Sequence, residues 1–343
     1  MSVPKPLLAA LQGQSIQPAP LWLMRQAGRY LPEYRQLRER AGGFLELCLT
    51  PELAAEATLQ PIRRFGFDGA ILFSDILIIA KALGRAVTFR EGDGPSLPAL
   101  TDVGGLAAQP DTSVMAPVYA AVREVKASLP TATTLLGFAG GPWTVAAYAI
   151  DGSGRTQFTK ACGMARENPA MLDAIIARLS DATAAHLIAQ LDAGADVVQI
   201  FDSWAGLLPP EQFRRFVMAP TQRIVAAIHA RHPQAAVIGF PRNAGALYAA
   251  YFAETGVTAL CIDQAVPLTQ AHDLQKHGPV QGNLDPAVLV AGGAALDRAV
   301  GDILAALGQR PFVFNLGHGI LPETPLAHVE RLVRLVRLVR GGP

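Results

Sequence analysis

Four arginines in a short N-terminal stretch are the first side chains whose type and spacing could do chemistry. The stretch covers residues 20–38, turns at Gly28 and contains Arg25, Arg29, Arg35 and Arg38. Guanidinium groups bind carboxylates through two parallel hydrogen bonds, so this cluster predicts a pocket for a ligand rich in carboxylates. A surface helix with ion pairs to Glu33 and Glu39 is the alternative, and charge spacing alone does not decide between the two.

Polar residues that follow apolar runs form a second group of candidates. Asp75 comes just after residues 69–73, an apolar run bounded by turn residues and typical of a strand buried on both faces. Other polar residues stand after later apolar runs: Tyr148, Asp202, Ser203, Arg242, Asn243, Asp263, Asn283 and His318. An acid after a strand often caps the next helix, so we expect structural roles for Asp202 and Asp263, and also for Asn283.

Apolar runs alternate with helical patterns, which predicts a parallel sheet with right-handed crossovers. Seven runs are typical of strands, at residues 69–73, 134–138, 196–201, 235–240, 258–262, 279–281 and 312–316. An eighth strand is available at residues 21–24 or 86–90. The predicted fold class is α/β, a closed (β/α)8 TIM barrel, with its active site at the C-terminal ends of the strands. A doubly wound open sheet is the alternative, weakened because no Gly-x-Gly-x-x-Gly follows the first strand.

The whole chain, residues 1–343, is expected to form one barrel domain, with residues 20–40 contributing to the cleft. Thr50 and Pro51 predict a helix start with a capping hydroxyl, and that helix should end at Gly66 and bend or restart at Pro61. Residues 81–117, rich in Gly, Pro and Asp, predict a hairpin or long loop. The last helical pattern, residues 324–340, is basic and amphipathic, and we expect it to seal the fold rather than bind a membrane.

Composition narrows the class of protein. Half of the residues are hydrophobic, yet no apolar run reaches the roughly 20 residues that span a bilayer. The formal net charge is only +1, so the chain has no general field for nucleic acid. The N-terminal residues lack an export signal, which predicts a cytoplasmic protein without nucleic-acid or membrane partners.

Two further patterns argue against metal and phosphate sites. Cys48, Cys162 and Cys261 are far apart and odd in number, which predicts buried thiols rather than disulfides or a paired-cysteine zinc site. The glycines of residues 137–144 could cradle a phosphate after a strand. The Lys-Ser/Thr ending of a P-loop is absent, however, and Pro142 removes an amide.

Residues 24–30, Met-Arg-Gln-Ala-Gly-Arg-Tyr, closely resemble the N-terminal signature of the uroporphyrinogen decarboxylase family. Four later segments are similar to further signatures of that family in the same order, at residues 73–77, 137–148, 201–206 and 315–319. Residues 240–245 depart from the family's common pattern, which has a lysine in this loop. That departure leaves the role of Arg242 open.

The resemblance implies a cofactor-free, metal-free enzyme of haem synthesis that works as a homodimer. Such an enzyme removes carbon dioxide from the four acetate arms of uroporphyrinogen III and gives coproporphyrinogen III. A pyrrole protonated at a ring carbon can take up the electrons that decarboxylation releases, so no pyridoxal or thiamine is needed. A carboxylate at the centre of the macrocycle can accept hydrogen bonds from the pyrrole N–H groups and stabilise the developing positive charge.

Carried over residue by residue, the resemblance implies that Asp75 and Arg29 are catalytic, with Asp75 as the central carboxylate. It implies a substrate-binding set of Arg25, Gln26, Ala27, Gly28, Arg29, Arg38, Asp75, Tyr148, Ser203 and His318. The arginines would hold peripheral carboxylates, and Tyr148, Ser203 and His318 would donate hydrogen bonds. The proton donor stays open between an arginine and a bound water.

Two other functions remain as alternatives. Zinc-dependent corrinoid methyltransferases are similar along much of the chain, but they need thiolate and imidazole ligands, typically His-x-Cys and a later Cys. This sequence has no His-x-Cys, and Cys261 falls inside an apolar run. A non-catalytic tetrapyrrole carrier would keep Arg25 and Arg29 but could lose the central acid, and Asp75 is present.

Overall fold

The structure is a computed structural model, and it describes residues 5–90, 94–154 and 156–338. Within these residues the strands are β1 (Gly69–Ile71), β2 (Thr88–Arg90), β3 (Gly94–Ser96), β4 (Thr134–Gly140), β5 (Val197–Asp202), β6 (Ala236–Pro241), β7 (Ala259–Cys261), β8 (Val280–Leu284) and β9 (Phe312–Leu316). The helices of the first half are α1 (Pro6–Leu11), α2 (Pro32–Ala41), α3 (Phe44–Leu49), α4 (Pro51–Phe65), α5 (Ile78–Ala82), α6 (Thr112–Ser128), α7 (Pro142–Asp151), α8 (Thr159–Glu167) and α9 (Pro169–Asp192). Those of the second half are α10 (Pro210–Phe213), α11 (Ala219–Arg231), α12 (Tyr248–Thr255), α13 (Leu268–Leu274), α14 (Pro286–Ala291), α15 (Gly293–Leu307) and α16 (Leu326–Leu338).

Seven of these strands form one parallel sheet in the order β1-β4-β5-β6-β7-β8-β9. Apart from the β2–β3 hairpin, which lies between β1 and β4 in sequence, each strand pairs with the next strand along the chain, with Gly69 opposite Thr134 and Val280 opposite Phe312 at two of the pairings. All seven predicted strands are confirmed, and β9 has the predicted limits. The (β/α)8 TIM-barrel fold is confirmed as well, because this single curled sheet is surrounded by helices.

An extended segment at residues 20–22 fills the gap between the last strand and the first. The Phe314 amide donates to the Pro20 carbonyl at 2.8 Å, and the Trp22 amide donates to the Phe314 carbonyl at 3.3 Å. On the other side, the Asp68 amide donates to the Leu21 carbonyl at 2.9 Å. Of the two predicted positions for an eighth strand, this segment takes the place in the barrel.

The alternative prediction of a barrel strand at residues 86–90 is wrong. Thr88–Arg90 pairs antiparallel with Gly94–Ser96 in a separate two-stranded sheet, so this part of the chain is the hairpin that its Gly, Pro and Asp content predicted. The reason is local. Gly, Pro and Asp favour a reversal of the chain, and two strands close in sequence then pair with each other rather than with a distant sheet.

The N-terminal end of the barrel is closed by α1. Leu7, Ala10 and Leu11 are buried and pack with Trp22 and other apolar side chains inside the ring of strands. Lys5, just before this helix, donates to Asp196 Oδ2 at 2.6 Å. Removal of these apolar side chains from water stabilises the packing of α1 in the end of the barrel by about 25 cal/mol for each Å² that is buried.

Asp196 precedes β5 and is the charged anchor of this closed end. Lys126 Nζ, on α6, donates to its Oδ1 at 2.5 Å, and the Leu135 amide donates to its Oδ2 at 2.8 Å. Burial by itself raises the pKa of Asp196. The hydrogen bonds from Lys126 and Lys5 outweigh that effect, and the pKa ends below its usual value.

Helix α4 matches its predicted limits but not its predicted cap. It begins at Pro51, continues through Pro61 and ends before Gly66, whose φ of 65° is readily adopted by glycine. The Thr50 side chain makes no capping hydrogen bond, so the prediction of a capping hydroxyl is wrong. Proline at the first turn leaves one amide fewer to be satisfied, which makes the cap less necessary.

Helix α16 packs on the barrel beside the seam, the place where residues 20–22 bridge β9 and the start of β1. Val329, Leu332 and Val336 are buried, and Arg337 binds Asp68 Oδ2 at 2.8 Å, the same oxygen that accepts the Leu21 amide at 2.7 Å. The predicted sealing role is confirmed, whereas the predicted end of this helix at residue 340 lies outside the described residues. None of the helices in the described chain is long and apolar enough to cross a membrane.

Candidate active site

A cavity of about 560 Å³ opens at the C-terminal ends of the strands. Parallel strands bring their C-terminal loops to the same edge, so residues far apart in sequence meet there. The cavity is lined by nine of the ten predicted site residues, namely Arg25, Ala27, Gly28, Arg29, Arg38, Asp75, Tyr148, Ser203 and His318. The arginine stretch therefore faces the same space as the strand ends.

Gln26 is the predicted site residue that does not line the cavity. Its side chain is fully buried, where Nε2 donates to the Gly69 carbonyl at 3.0 Å and Oε1 accepts the Leu23 amide at 3.1 Å. The Gln26 carbonyl also accepts the Tyr30 hydroxyl at 2.8 Å. These bonds tie the arginine turn to β1, so the structure gives Gln26 a supporting position and not a place in the cavity wall.

Arg25 holds an unusual backbone conformation within that turn. Its φ is 61°, in the left-handed region that bulky residues rarely adopt, and such strain costs on the order of 1 kcal/mol or more. The turn is anchored to β9 and the loop after it, because the Met24 amide donates to Asn315 Oδ1 and the Met24 carbonyl accepts the Ile320 amide, both at 2.9 Å. The rigid turn directs the Arg25 side chain to the cavity.

Gly319 makes room for the Arg25 side chain. A Cβ on Gly319 would lie 2.3 Å from Cδ of Arg25 and 2.9 Å from its Nε. The histidine loop after β9 and the arginine turn are therefore packed directly against each other. Although Arg25 is exposed to the cavity, the surrounding protein lowers its pKa, an effect that Tyr148 and Asp75 partly offset.

Asp75 stands at the end of β1 and is half-buried in the cavity wall. Its Oδ1 accepts the Leu77 amide at 2.8 Å, and Oδ2 makes no hydrogen bond to the described residues. Burial raises the pKa of Asp75 to about 6, although the Leu77 hydrogen bond and the charge of Arg25 both favour the carboxylate. Among the described residues, Asp75 therefore presents one oxygen without a hydrogen-bond donor to the cavity, where a cationic or hydrogen-bond-donating ligand could approach it.

His318 follows β9 and lies 6.3 Å from the Phe240 ring, centroid to centroid. Burial, together with the positive charges of Arg25 and Arg242, lowers the pKa of His318 to about 3. The imidazole is therefore neutral near pH 7 and can offer one donor and one acceptor. Arg242, whose role the sequence left open, is close enough to influence this ring but does not line the cavity.

Tyr148 and Ser203 form the opposite wall. Tyr148 is on α7, its ring makes an edge contact with Trp204 at 6.5 Å, and burial raises the pKa of its hydroxyl. Ser203 comes directly after β5 and borders the same space. Both hydroxyls are neutral near pH 7, so this wall presents donors without charge.

An aromatic wall was missed by sequence reasoning. Phe44 and Phe89 line the cavity with ring centroids 4.7 Å apart, Phe44 also contacts Phe73 at 5.8 Å, and the Arg38 guanidinium lies 5.8 Å from the Phe44 centroid. Phe73 in turn contacts Tyr34 at 5.5 Å. Phe44 and Phe89 belong to a helix and a hairpin with no polar motif beside them, so no local signal in the sequence indicates their place in the cavity.

The surface-helix alternative for the arginine stretch is not what the structure shows. Glu33 pairs with Arg64 of α4 through two hydrogen bonds of 2.7 and 2.9 Å. None of the four arginines of the stretch forms a salt bridge with a carboxylate among the described residues. Arg35 turns away and donates to the Arg29 carbonyl at 3.1 Å, while Arg25, Arg29 and Arg38 border the cavity.

The structural roles expected for three polar residues are confirmed. Asp202 accepts the Thr144 amide in the first turn of α7 at 3.1 Å. Asp263 accepts the Tyr248 hydroxyl and the Asn243 amide, both at 2.6 Å. Asn283 donates from Nδ2 to the Asp263 carbonyl at 3.1 Å, so these side chains hold loops rather than face the cavity.

The glycines of residues 137–144 serve close packing. A Cβ on Gly137 would lie 2.6 Å from Gln190 Oε1, and one on Gly141 would lie 2.5 Å from Asp202 Oδ2. Cys48 and Cys261 are buried as predicted, whereas the prediction is wrong for Cys162, which is half-buried. Among the described residues, no three His, Cys, Asp or Glu side chains are grouped as metal ligands.

Comparison with known proteins identifies the family. The family profile described as Uroporphyrinogen decarboxylase (URO-D) matches residues 3–339. The chain belongs to this family. A uroporphyrinogen decarboxylase of Sphingopyxis alaskensis is 57% identical over 338 residues, 97% of this chain and 98% of that protein. The one from Rhizorhabdus wittichii is 56% identical over 335 residues, 97% of each chain.

Solved structures give the same fold at low sequence identity. A methyltransferase from Methanosarcina mazei superposes with a TM-score of 0.80 at 21% identity and covers 98% of both chains. A B12-independent methionine synthase from Shewanella sp. W3-18-1 has a TM-score of 0.58 at 10% identity, over 98% of this chain and 94% of that one. At such identity these neighbours establish the barrel fold alone.

Proposed function

We propose that this protein is a carboxy-lyase of haem biosynthesis. It decarboxylates the four acetate side chains of uroporphyrinogen III to methyl groups and gives coproporphyrinogen III. The observation that carries the proposal is the cavity, where one incompletely paired carboxylate, Asp75, is surrounded by arginines that have no carboxylate partner among the described residues. The family relatives named for this activity, more than 50% identical over nearly the whole chain, support the same substrate.

Asp75 supplies the charge that the reaction needs. Protonation of a pyrrole at a ring carbon creates a cationic electron sink, and a fixed carboxylate stabilises that cation without reorganising solvent. Its Oδ1 is held by the Leu77 amide, so Oδ2 is the oxygen left to accept pyrrole N–H groups. With a pKa of about 6 in the free protein, the carboxylate form prevails at neutral pH and is favoured further once the cation develops.

The arginines hold the periphery of the substrate. Eight carboxylates on one macrocycle repel each other, and guanidinium groups bind such groups in a fixed, forked geometry. Arg25 and Arg29 take carboxylates on the side of the arginine turn, with Arg38 as a third cation beside Phe44. Tyr148, Ser203 and His318 donate hydrogen bonds from the remaining walls.

The aromatic wall excludes water from the reacting arm. Phe44, Phe73 and Phe89 cover one side of the cavity next to Asp75. Conversion of a carboxylate to neutral carbon dioxide is favoured where the charged group has few waters to lose. His318 is neutral near pH 7, with a pKa of about 3, which supports an arginine or a bound water as the proton donor.

The test is anaerobic incubation of the purified, chelator-treated protein with reduced uroporphyrinogen III, followed by oxidation and chromatography by carboxylate number. Stepwise appearance of seven-, six-, five- and four-carboxylate porphyrins is the expected result and would show that no added cofactor is required. Unchanged eight-carboxylate substrate in the presence of folded protein would contradict the proposal. Tight binding without turnover would instead indicate a tetrapyrrole carrier.

Three features stay predictions from the sequence and the resemblance. They are the organisation of residues 1–343 as one barrel domain, the homodimer and the cytoplasmic location. Sedimentation velocity of the purified protein tests the second, and a monomer at micromolar concentration would contradict it.

A further inference from the structure

A chain of hydrogen bonds runs from Asp202, the buried last residue of β5, to the loop that follows this strand at the cavity. Thr144 Oγ1 donates to Asp202 Oδ1, and the Thr144 amide donates to the same oxygen at 3.1 Å. The same hydroxyl accepts the Trp204 amide at 3.1 Å. Thr144 and Asp202 are fully or almost fully buried, and neither lines the cavity.

This network fixes a loop whose other face is functional. Ser203 lies between Asp202 and Trp204 in the chain and borders the cavity. A second bond holds the loop from the other side, because Trp143 Nε1 donates to the Trp204 carbonyl at 2.9 Å. The Trp204 ring then makes the edge contact that positions Tyr148.

Gly141 permits the approach on which the network depends. A Cβ on Gly141 would lie only 2.5 Å from the Asp202 carboxyl group. Because glycine has no Cβ, the carboxyl can pack directly against the start of α7. Burial raises the pKa of Asp202 to about 7, although both bonds from Thr144 favour the charged form. Burial of a carboxyl group costs free energy, and Asp202 does not line the cavity. Its contribution to the site is therefore the position that it gives to the neighbouring loop.

We propose that Thr144 and Asp202 are positioning residues for the substrate, which act through the backbone of residues 203–204 to place the Ser203 hydroxyl and the Tyr148 ring. This inference rests on the proposed function, since it assigns the two cavity groups to substrate binding. Thr144 carries the argument, because one hydroxyl donates to Asp202 and accepts from Trp204 at the same time. Serine can do the same, whereas valine, of nearly equal shape, can do neither.

The experiment compares Thr144→Val with Thr144→Ser and with a matched control, Thr221→Val. Thr221 is also a buried helical threonine, and its hydroxyl donates to the Val217 carbonyl at 2.8 Å, away from the cavity. We expect Thr144→Val to raise KM for uroporphyrinogen III about tenfold with kcat changed less than threefold, which corresponds to one lost hydrogen bond. Thr144→Ser and Thr221→Val should stay within twofold of the wild type in both constants.

A double-mutant cycle separates positioning from general packing. In a Ser203→Ala background the hydroxyl being placed is gone, so Thr144→Val should raise KM clearly less than tenfold. An equal increase in both backgrounds, or no increase in either, would overturn the proposal. If Thr144→Val does not fold, Trp143→Phe removes the other bond to Trp204 and should raise KM in the same direction, while an unchanged KM would count against the inference.

The wild-type protein in the same assay keeps the two proposals apart. Failure of the wild type to decarboxylate uroporphyrinogen contradicts the proposed function only. Substrate affinity, measured by quenching of tryptophan fluorescence, then replaces KM as the readout for the variants. A weaker affinity for Thr144→Val but not for Thr144→Ser supports positioning, and equal affinities reject it.

Discussion

The two ends of the barrel each contain an aspartate, and the two carboxyl groups are treated in opposite ways. At the closed end, Asp196 is bound by two lysines and a backbone amide, and its pKa lies below the usual value. At the open end, Asp75 has one amide on Oδ1 and no hydrogen bond from the described residues on Oδ2, and burial raises its pKa to about 6. Both acids are partly withdrawn from water, so the difference lies in their partners.

The comparison shows how one residue type can serve stability or chemistry. The carboxylate of Asp196 is paired with two lysines of the fold. These ion pairs connect the start of β5 to α6 and to the residue before α1. Asp75, with a single hydrogen bond from the described residues and a pKa raised to about 6, is held as a carboxylate at some cost to stability, as is common for acids at functional sites. Arg25, Arg29 and Arg38 at the same cavity have no carboxylate partner among the described residues. Such arginines are suited to bind the carboxylates of a polyanionic substrate.

The largest expected effect comes from Asp75→Asn, which removes the charge of the aspartate at the open end of the barrel. We expect kcat/KM to fall at least 100-fold, because the amide keeps the bond to Leu77 but removes the charge that stabilises the cation. The raised pKa of Asp75 means that its charge destabilises the fold as pH rises from about 4 through 6. The variant should therefore unfold at an equal or higher denaturant concentration than the wild type at pH 7.5. A near-normal rate would remove the electrostatic role of Asp75.

Asp196→Asn tests the closed end and should give the reverse pattern. We expect a loss of about 2 kcal/mol in the free energy of unfolding at pH 7, because two lysines lose their charged partner. The lowered pKa of Asp196 contributes stability above its unfolded value near 4, and that contribution disappears as pH falls through the native pKa. The gap between variant and wild type in denaturant melts should thus narrow below pH 4. The folded variant should keep kcat/KM within threefold, and a large loss of activity would erase the distinction between the two ends.

The smallest expected effect concerns the pH dependence of kcat/KM, which shows whether Asp75 or His318 is the titrating group at the open end. The acid limb of kcat/KM should have a midpoint near pH 6, since Asp75 must be charged and His318, with a pKa of about 3, does not titrate there. His318→Asn keeps a neutral side chain that donates hydrogen bonds, and it should retain this limb. Disappearance of the limb in the variant would show that the histidine, and not Asp75, is the titrating group.

Much of the fold could be predicted because its signals are local. The run of β9 and the apolar run around β1 are bounded by turn residues, so their type and approximate limits follow from periodicity. The eighth position was ambiguous because residues 20–22 bond to both neighbours through only a few backbone groups and show no repeating pattern. The choice between that segment and residues 86–90 depended on a pairing that no local window contains.

The site was predictable in its location but less so in the direction of each side chain. Parallel strands bring Asp75, Ser203 and His318 to one edge whatever their separation in sequence. A motif transfers a residue but not its orientation, which is why Gln26 was expected in the cavity wall and instead faces Gly69. Phe44 was missed for a related reason, since its contact with Phe89 exists only after the hairpin folds onto α3.

The seam between β9 and β1 sets the order in which a newly made chain can complete its cavity. Residues 20–22 are synthesised long before their hydrogen-bond partner Phe314. Because Arg25 and Arg29 follow that segment directly, their positions are not fixed until β9 has emerged and paired. A growing chain therefore carries Arg25 and Arg29 before the strand that fixes their turn exists, so this side of the cavity is completed only after β9 has been synthesised.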